Sequence, residues 1–213
     1  MSGTIADVPM PIPEFEVVEE ETPFMLRWKN PPNFSRAELV RFIENNDELE
    51  IERDCDGSLL LSSGVTFKTT RDETEVLVRL WLWAEKDGTG EALGPTGRYE
   101  LPNRAWRGPE AVWISRERVG AVPAREIRSV PHLVPDFVVE VRSKSNSLRR
   151  LKAKMEEYIA NDVRLGWLLD EKNKVAYVYR PGAEVQVIEH ATTLDASPEL
   201  PGFILDLTPI WAE

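Results

Sequence analysis

The chain has 213 residues, 42% apolar and 30% charged, enough for one well-packed domain and too apolar for wholesale disorder. Thirty-seven acidic side chains against twenty-six basic ones give a net charge of −11, so any hold on nucleic acid must rest on a local basic patch or on metal ions bridging carboxylates to phosphates. One cysteine, Cys55, excludes an internal disulfide framework and a cysteine-rich zinc site. No apolar run reaches membrane-spanning length, and the amino end has no basic-then-apolar leader, so a cytoplasmic protein with no membrane partner is expected.

Residues 1–33 read as an irregular, acidic, proline-rich arm, and 34–213 as a single domain. Order is expected to begin at a capping box, Ser35-x-x-Glu38, opening a short helix with Leu39, Val40, Phe42 and Ile43 on its apolar face. Strands over 49–53 and 58–62 flank the turn signal Asp54-Cys55-Asp56-Gly57, which predicts a hairpin. A second capping box, Thr70-x-x-Glu73, predicts a helix over 73–86 whose Val76, Leu77, Leu80, Trp81, Trp83 and Ala84 pack on a sheet. Strands follow at 97–101, 110–114 and 133–142. A helix over 147–161 then carries the stripe Leu148, Leu151, Met155, Tyr158 and Ile159. Three more strands at 165–169, 175–179 and 184–188 close an α/β (α+β) domain, with the tail near Leu200 packing as an edge.

The run Pro135-Asp136-Phe137-Val138-Val139-Glu140-Val141-Arg142 is the most informative. Period two sets Phe137, Val139 and Val141 on one face and Asp136, Val138, Glu140 and Arg142 on the other. By itself this is a half-solvated strand. Its alternative use is metal-dependent phosphodiester hydrolysis, which needs carboxylates holding a divalent ion and a lysine nearby. Asp136 and Glu140 lie about 13 Å apart along a strand, too far to share one ion, so Glu140 needs a partner from a neighbouring strand. Pro109-Glu110-Ala111-Val112-Trp113-Ile114 offers one, if the two strands are adjacent.

These segments, with LWLWAEKDGTGEALGPTGRYELPN, KAKMEEYIANDVRLGWLLDE and LPGFILDL, resemble the Uma-two family of restriction-endonuclease-like proteins, in family order over roughly two-thirds of the chain. The resemblance implies the PD-(D/E)XK nuclease fold, a mixed central sheet flanked by helices, and Mg²⁺-dependent (or Mn²⁺-dependent) endonuclease chemistry, most simply on DNA. It implies Glu75 as the helix acid, Glu110 and Glu140 as metal ligands, Asp136 in a supporting role and Lys154 as the lysine, with Arg142 standing where that lysine more often sits. Lys152 and Lys154 flank the helix stripe on opposite sides, and only the resemblance favours Lys154. Arg142, Lys144, Arg149, Arg150 and Lys152 form the one basic concentration, a candidate nucleic-acid contact whose plainer reading is a solvated helix face.

Glutamate at 110 and arginine at 142 depart from the family pattern. They motivate the alternative of a catalytically impaired nuclease fold serving as a binding or oligomerisation module. A homodimer would suit cleavage of both strands of a duplex. His132 and His190 lie in no ligand spacing, and Trp81, Trp83, Trp113 and Trp167 are expected in the core rather than as base-stacking platforms.

Overall fold

The computed structural model describes residues 14–17, 26–28, 30–46, 49–62, 66–143 and 146–212. In chain order the elements are β1 (Phe15–Val17), β2 (Leu26–Trp28), α1 (Arg36–Glu44), β3 (Glu50–Arg53), β4 (Leu59–Ser62), α2 (Phe67–Asp87) and β5 (Gly90–Leu93). Then come β6 (Tyr99–Glu100), β7 (Trp106–Arg107), β8 (Ala111–Ser115), α3 (Arg116–Ala121), β9 (Phe137–Val141) and α4 (Leu148–Ala160). The chain closes with β10 (Leu165–Asp170), β11 (Val175–Tyr179), β12 (Gln186–Glu189), β13 (Thr193–Asp195), β14 (Ile204–Asp206) and α5 (Thr208–Trp211).

One six-stranded sheet runs β12-β11-β10-β9-β8-β5. Only β9 and β10 are parallel within it, as α4 crosses over between them. A second, antiparallel sheet runs β1-β2-β4-β3-β7-β6. The predicted hairpin is its β3–β4 pair, with Gly57 at φ 93° in the turn, a backbone that favours glycine. The stretch expected to be an irregular arm contributes β1 and β2. Trp28 on β2 is buried against Phe34 and Phe42, which draws this segment onto β4 in spite of its prolines.

The mixed sheet is covered on both faces. On one, Val76, Leu80 and Ala84 of α2 pack with Trp113, Phe137, Val139 and Trp167. On the other, Leu151, Met155 and Tyr158 of α4 pack with Val112, Ile114, Val138 and Leu168. The two-face split of β9 therefore holds, but its second face is not solvated, because α4 lies over it and all five residues are buried.

Helix ends follow their caps. Ser35 and Glu38 form the full capping box of α1, and Ser147 caps α4. α2 begins earlier than expected, because Thr66 accepts the Thr69 N–H; Thr70 instead donates its hydroxyl to the Thr66 carbonyl at 3.2 Å. Gly88, in the left-handed region, ends the helix. Trp81 departs from its expected core position. It lies on the side of α2 away from the sheet.

Candidate active site

The register of β8 against β9 pairs Ala111 with Val139 and Val112 with Val138. One step further sets Glu110 opposite Glu140, and period two points both toward the α4 face. There Glu140, buried, accepts two hydrogen bonds on Oε1: from the Tyr158 hydroxyl at 2.9 Å and from Lys154 Nζ at 2.9 Å. Lys154 sits one helical turn before Tyr158, so both side chains rise from the same side of α4. Its ammonium also reaches Glu52 Oε1 at 2.8 Å. Glu52 belongs to β3, in the other sheet, and is anchored by the Gly108 N–H at 3.0 Å and by Arg107 at 3.6 Å. Arg107 is in turn fixed by Glu157 Oε2 at 2.5 Å and Asp54 Oδ1 at 2.7 Å.

The electrostatics of this cluster are lopsided. Burial raises Glu110 well above the ordinary carboxyl range, and the charges of Glu140 and Glu73 add to the rise. Burial likewise raises Glu140, with Lys154 opposing and Glu52 adding to the rise. Glu73 on α2 is pushed up to about 7 by burial and by the Glu50 and Glu140 charges. Glu52 differs. Burial works to raise it, but Lys154 and Arg107 outweigh burial and hold it at about 2. For Lys154 burial works downward, yet Glu140 and Glu52 lift it to about 12, so it is an ammonium at neutral pH and cannot serve as a general base.

The other expected residues lie elsewhere. Asp136 is buried at the opposite end of β9. Its Oδ2 accepts the Ser115 N–H at 2.8 Å, and its Oδ1 lies 3.2 Å from both Arg118 and Arg164. Glu75 is not brought into the cluster, since its carboxylate pairs with Arg79 one turn along α2. Glu73 is the α2 acid that acts on Glu110 and Glu140; two residues apart is about 200° around a helix, so the two acids point to different sides.

Of the basic group, Arg142 is held by the buried Asp170 at 3.0 Å and donates to the Asn146 carbonyl at 2.9 Å. Lys152 lies 4.2 Å from the Tyr177 ring centroid, on the other side of α4 from Lys154. Arg149 is exposed, Arg150 is half-buried, and Lys144 lies outside the described residues.

Sequence reasoning missed Glu52, Glu73, Tyr158 and Arg107 as parts of this cluster. A signal existed for the first. In Glu50-Ile51-Glu52 the apolar residue is buried, so alternation puts both acids on the opposite face. Among the described residues no three His, Cys, Asp or Glu side chains group closely enough to enclose an ion. The pair Glu110 and Glu140 still fits Mg²⁺, which commonly takes one or two carboxylates and fills its other positions with water and phosphate oxygens. Among the described residues Glu110 makes no ion pair, so its repulsion from Glu140 is what a cation would relieve.

The fold that carries this cluster is a mixed central sheet flanked by helices. It is shared with a crystal structure described as a putative nuclease belonging to DUF820 from Anabaena variabilis, at TM-score 0.69 and 15% identity, covering 84% of this chain and 97% of that one. Residues 36–208 match the Uma2 family model, described as "Putative restriction endonuclease", and the chain belongs to that family. None of the curated proteins compared matches it significantly. Among the described residues no helix is long and apolar enough to cross a membrane.

Proposed function

We propose that the protein is a divalent-metal-dependent endonuclease that hydrolyses phosphodiester bonds in nucleic acid, with DNA as its substrate. The observation that carries this reading is the meeting of Glu110, Glu140 and Lys154 at one end of β8 and β9, two acids with raised pKa beside a permanent ammonium. Glu110 and Glu140 would hold Mg²⁺ or Mn²⁺, which when bound activates water and neutralises phosphoryl charge. Lys154 has three N–H donors, of which Glu52 and Glu140 take one each, leaving one for a phosphoryl oxygen. Glu73, titrating at about 7, supplies a carboxylate able to accept a proton near neutral pH. Arg149, Arg150 and Lys152 on α4 offer the cationic surface for the phosphate backbone, which the net charge of −11 otherwise disfavours. Family membership, under a description that names a restriction endonuclease, supports the same reading.

The test is nicking of supercoiled plasmid by wild type and by Glu140→Gln, with Mg²⁺, with Mn²⁺ and with EDTA. Cleavage that needs the metal and disappears in the variant is expected; equal cleavage by both proteins contradicts the proposal. Parallel assays on single-stranded DNA, duplex DNA and RNA resolve the substrate.

A second reading, a nuclease fold retained as a binding module, is favoured by the Arg142–Asp170 pair, which withdraws from phosphate a cation next to the site. DNA retention without cleavage and without metal-binding heat would support that reading instead.

A further inference from the structure

The outward side of α2 plays no part in the site. At 100° per residue, Phe67, Arg71, Val78, Trp81, Leu82 and Glu85 fall within about 60° of one line along the helix, opposite the Val76, Leu80 and Ala84 side that packs on the sheet. Four large apolar groups on it face solvent: Phe67 is 84% exposed, Val78 46%, Trp81 48% and Leu82 50%. Scattered apolar residues on a surface are ordinary, whereas adjoining ones such as Val78, Trp81 and Leu82 mark a contact surface.

We infer that this stripe binds a second copy of the chain, with two α2 helices lying antiparallel across a two-fold axis at Val78. The charges choose the arrangement. A parallel pairing would set Arg71 against Arg71 and Glu85 against Glu85, which repels. Arg71 and Glu85 each lie seven residues, two turns, from Val78. An antiparallel pairing about that residue therefore places Arg71 of one copy beside Glu85 of the other at both ends, about 10 Å from the axis. Between those ends Val78, Trp81 and Leu82 of both copies meet within about 6 Å of the axis along the helix, an apolar centre with a charged rim. The face also suits an acidic protein. The charged residues on the stripe, Arg71 and Glu85, cancel, so the face adds no net charge to a self-contact in a chain of net charge −11.

Arg71 is at the surface, donating to the Ala212 carbonyl at 3.2 Å, and Glu85 is exposed. None of the stripe residues belongs to the Glu110–Glu140 cluster, so the inference stands independently of the cleavage chemistry. If that chemistry holds, the pair carries two sites, one for each strand of a duplex.

The test is sedimentation velocity on the full chain at micromolar concentration, with circular dichroism to confirm folding. Wild type is expected to be a dimer and Trp81→Glu a monomer of unchanged helicity. Arg71→Glu and Glu85→Arg should each weaken the dimer by about tenfold, and the two combined should restore it, since the ion pairs reform with reversed sign. A monomeric wild type, a dimeric Trp81→Glu, single reversals without effect, or a double reversal that fails to restore pairing would each overturn the inference.

Discussion

Two buried carboxylates lie four residues apart at β9, Asp136 just before the strand and Glu140 near its end, and the fold treats them in opposite ways. Asp136 at one end receives a backbone N–H and two guanidinium groups, from Arg118 and Arg164. Glu140 at the other end shares a single ammonium with Glu52 and faces Glu110 and Glu73. A carboxylate that serves only the fold is surrounded by its own counter-charges. One set among further carboxylates raises the free energy of the folded chain, and the unrelieved repulsion marks where an external cation gains most.

Substitutions at the two ends should therefore fail differently. Asp136→Ala leaves two guanidinium groups beside a buried void and is expected to cost about 3–5 kcal/mol in urea unfolding, with metal binding intact in whatever remains folded. Glu140→Gln should do the reverse: plasmid cleavage falls at least about a hundredfold, while stability changes by no more than about 1 kcal/mol, because the amide oxygen still accepts from Tyr158 and Lys154. If both variants lose stability alike, the ends do not differ in kind.

A pH titration sharpens the contrast. The Glu73 carboxyl is raised from 4.5 to about 7, so its favourable contribution is complete below pH 4.5 and is lost as pH rises to about 7. Glu110, also raised by burial and by the Glu140 and Glu73 charges, acts in the same direction. Glu52, held at about 2, acts in the opposite sense, losing its contribution only as pH falls below 4.5 toward 2, outside that window. Metal-free protein should therefore lose about 1–3 kcal/mol between pH 4.5 and 7 from Glu73, and Glu73→Gln should flatten the thermal-melting profile over that range. Tyr158→Phe, which removes one hydrogen bond to Glu140, should cost about 1–2 kcal/mol in the urea assay, less than Asp136→Ala.

What could be read from the sequence was what local chemistry determines. The Ser35–Glu38 box, the Asp54 to Gly57 turn and the α4 stripe each fix their own element, and all three are observed. The proline-carboxylate starts of β8 and β9 suggested the Glu110–Glu140 pairing that the register supports. Contacts between sheets were not legible. Glu52 reaches Lys154 only because β3 and β7 bring the second sheet beside α4; the alternation in Glu50-Ile51-Glu52 gives the face of Glu52 but not what that face meets. The helix acid shows another limit. The resemblance pointed to Glu75, whereas α2 turns Glu75 toward Arg79 and sets Glu73 beside the cluster.

The most direct test is calorimetric titration of Mn²⁺ into wild type, Glu110→Gln and Glu140→Gln near neutral pH. Saturable binding is expected in wild type, and both variants should lose it while remaining folded. Absence of heat in wild type at millimolar metal, or equal binding in all three proteins, would contradict this expectation.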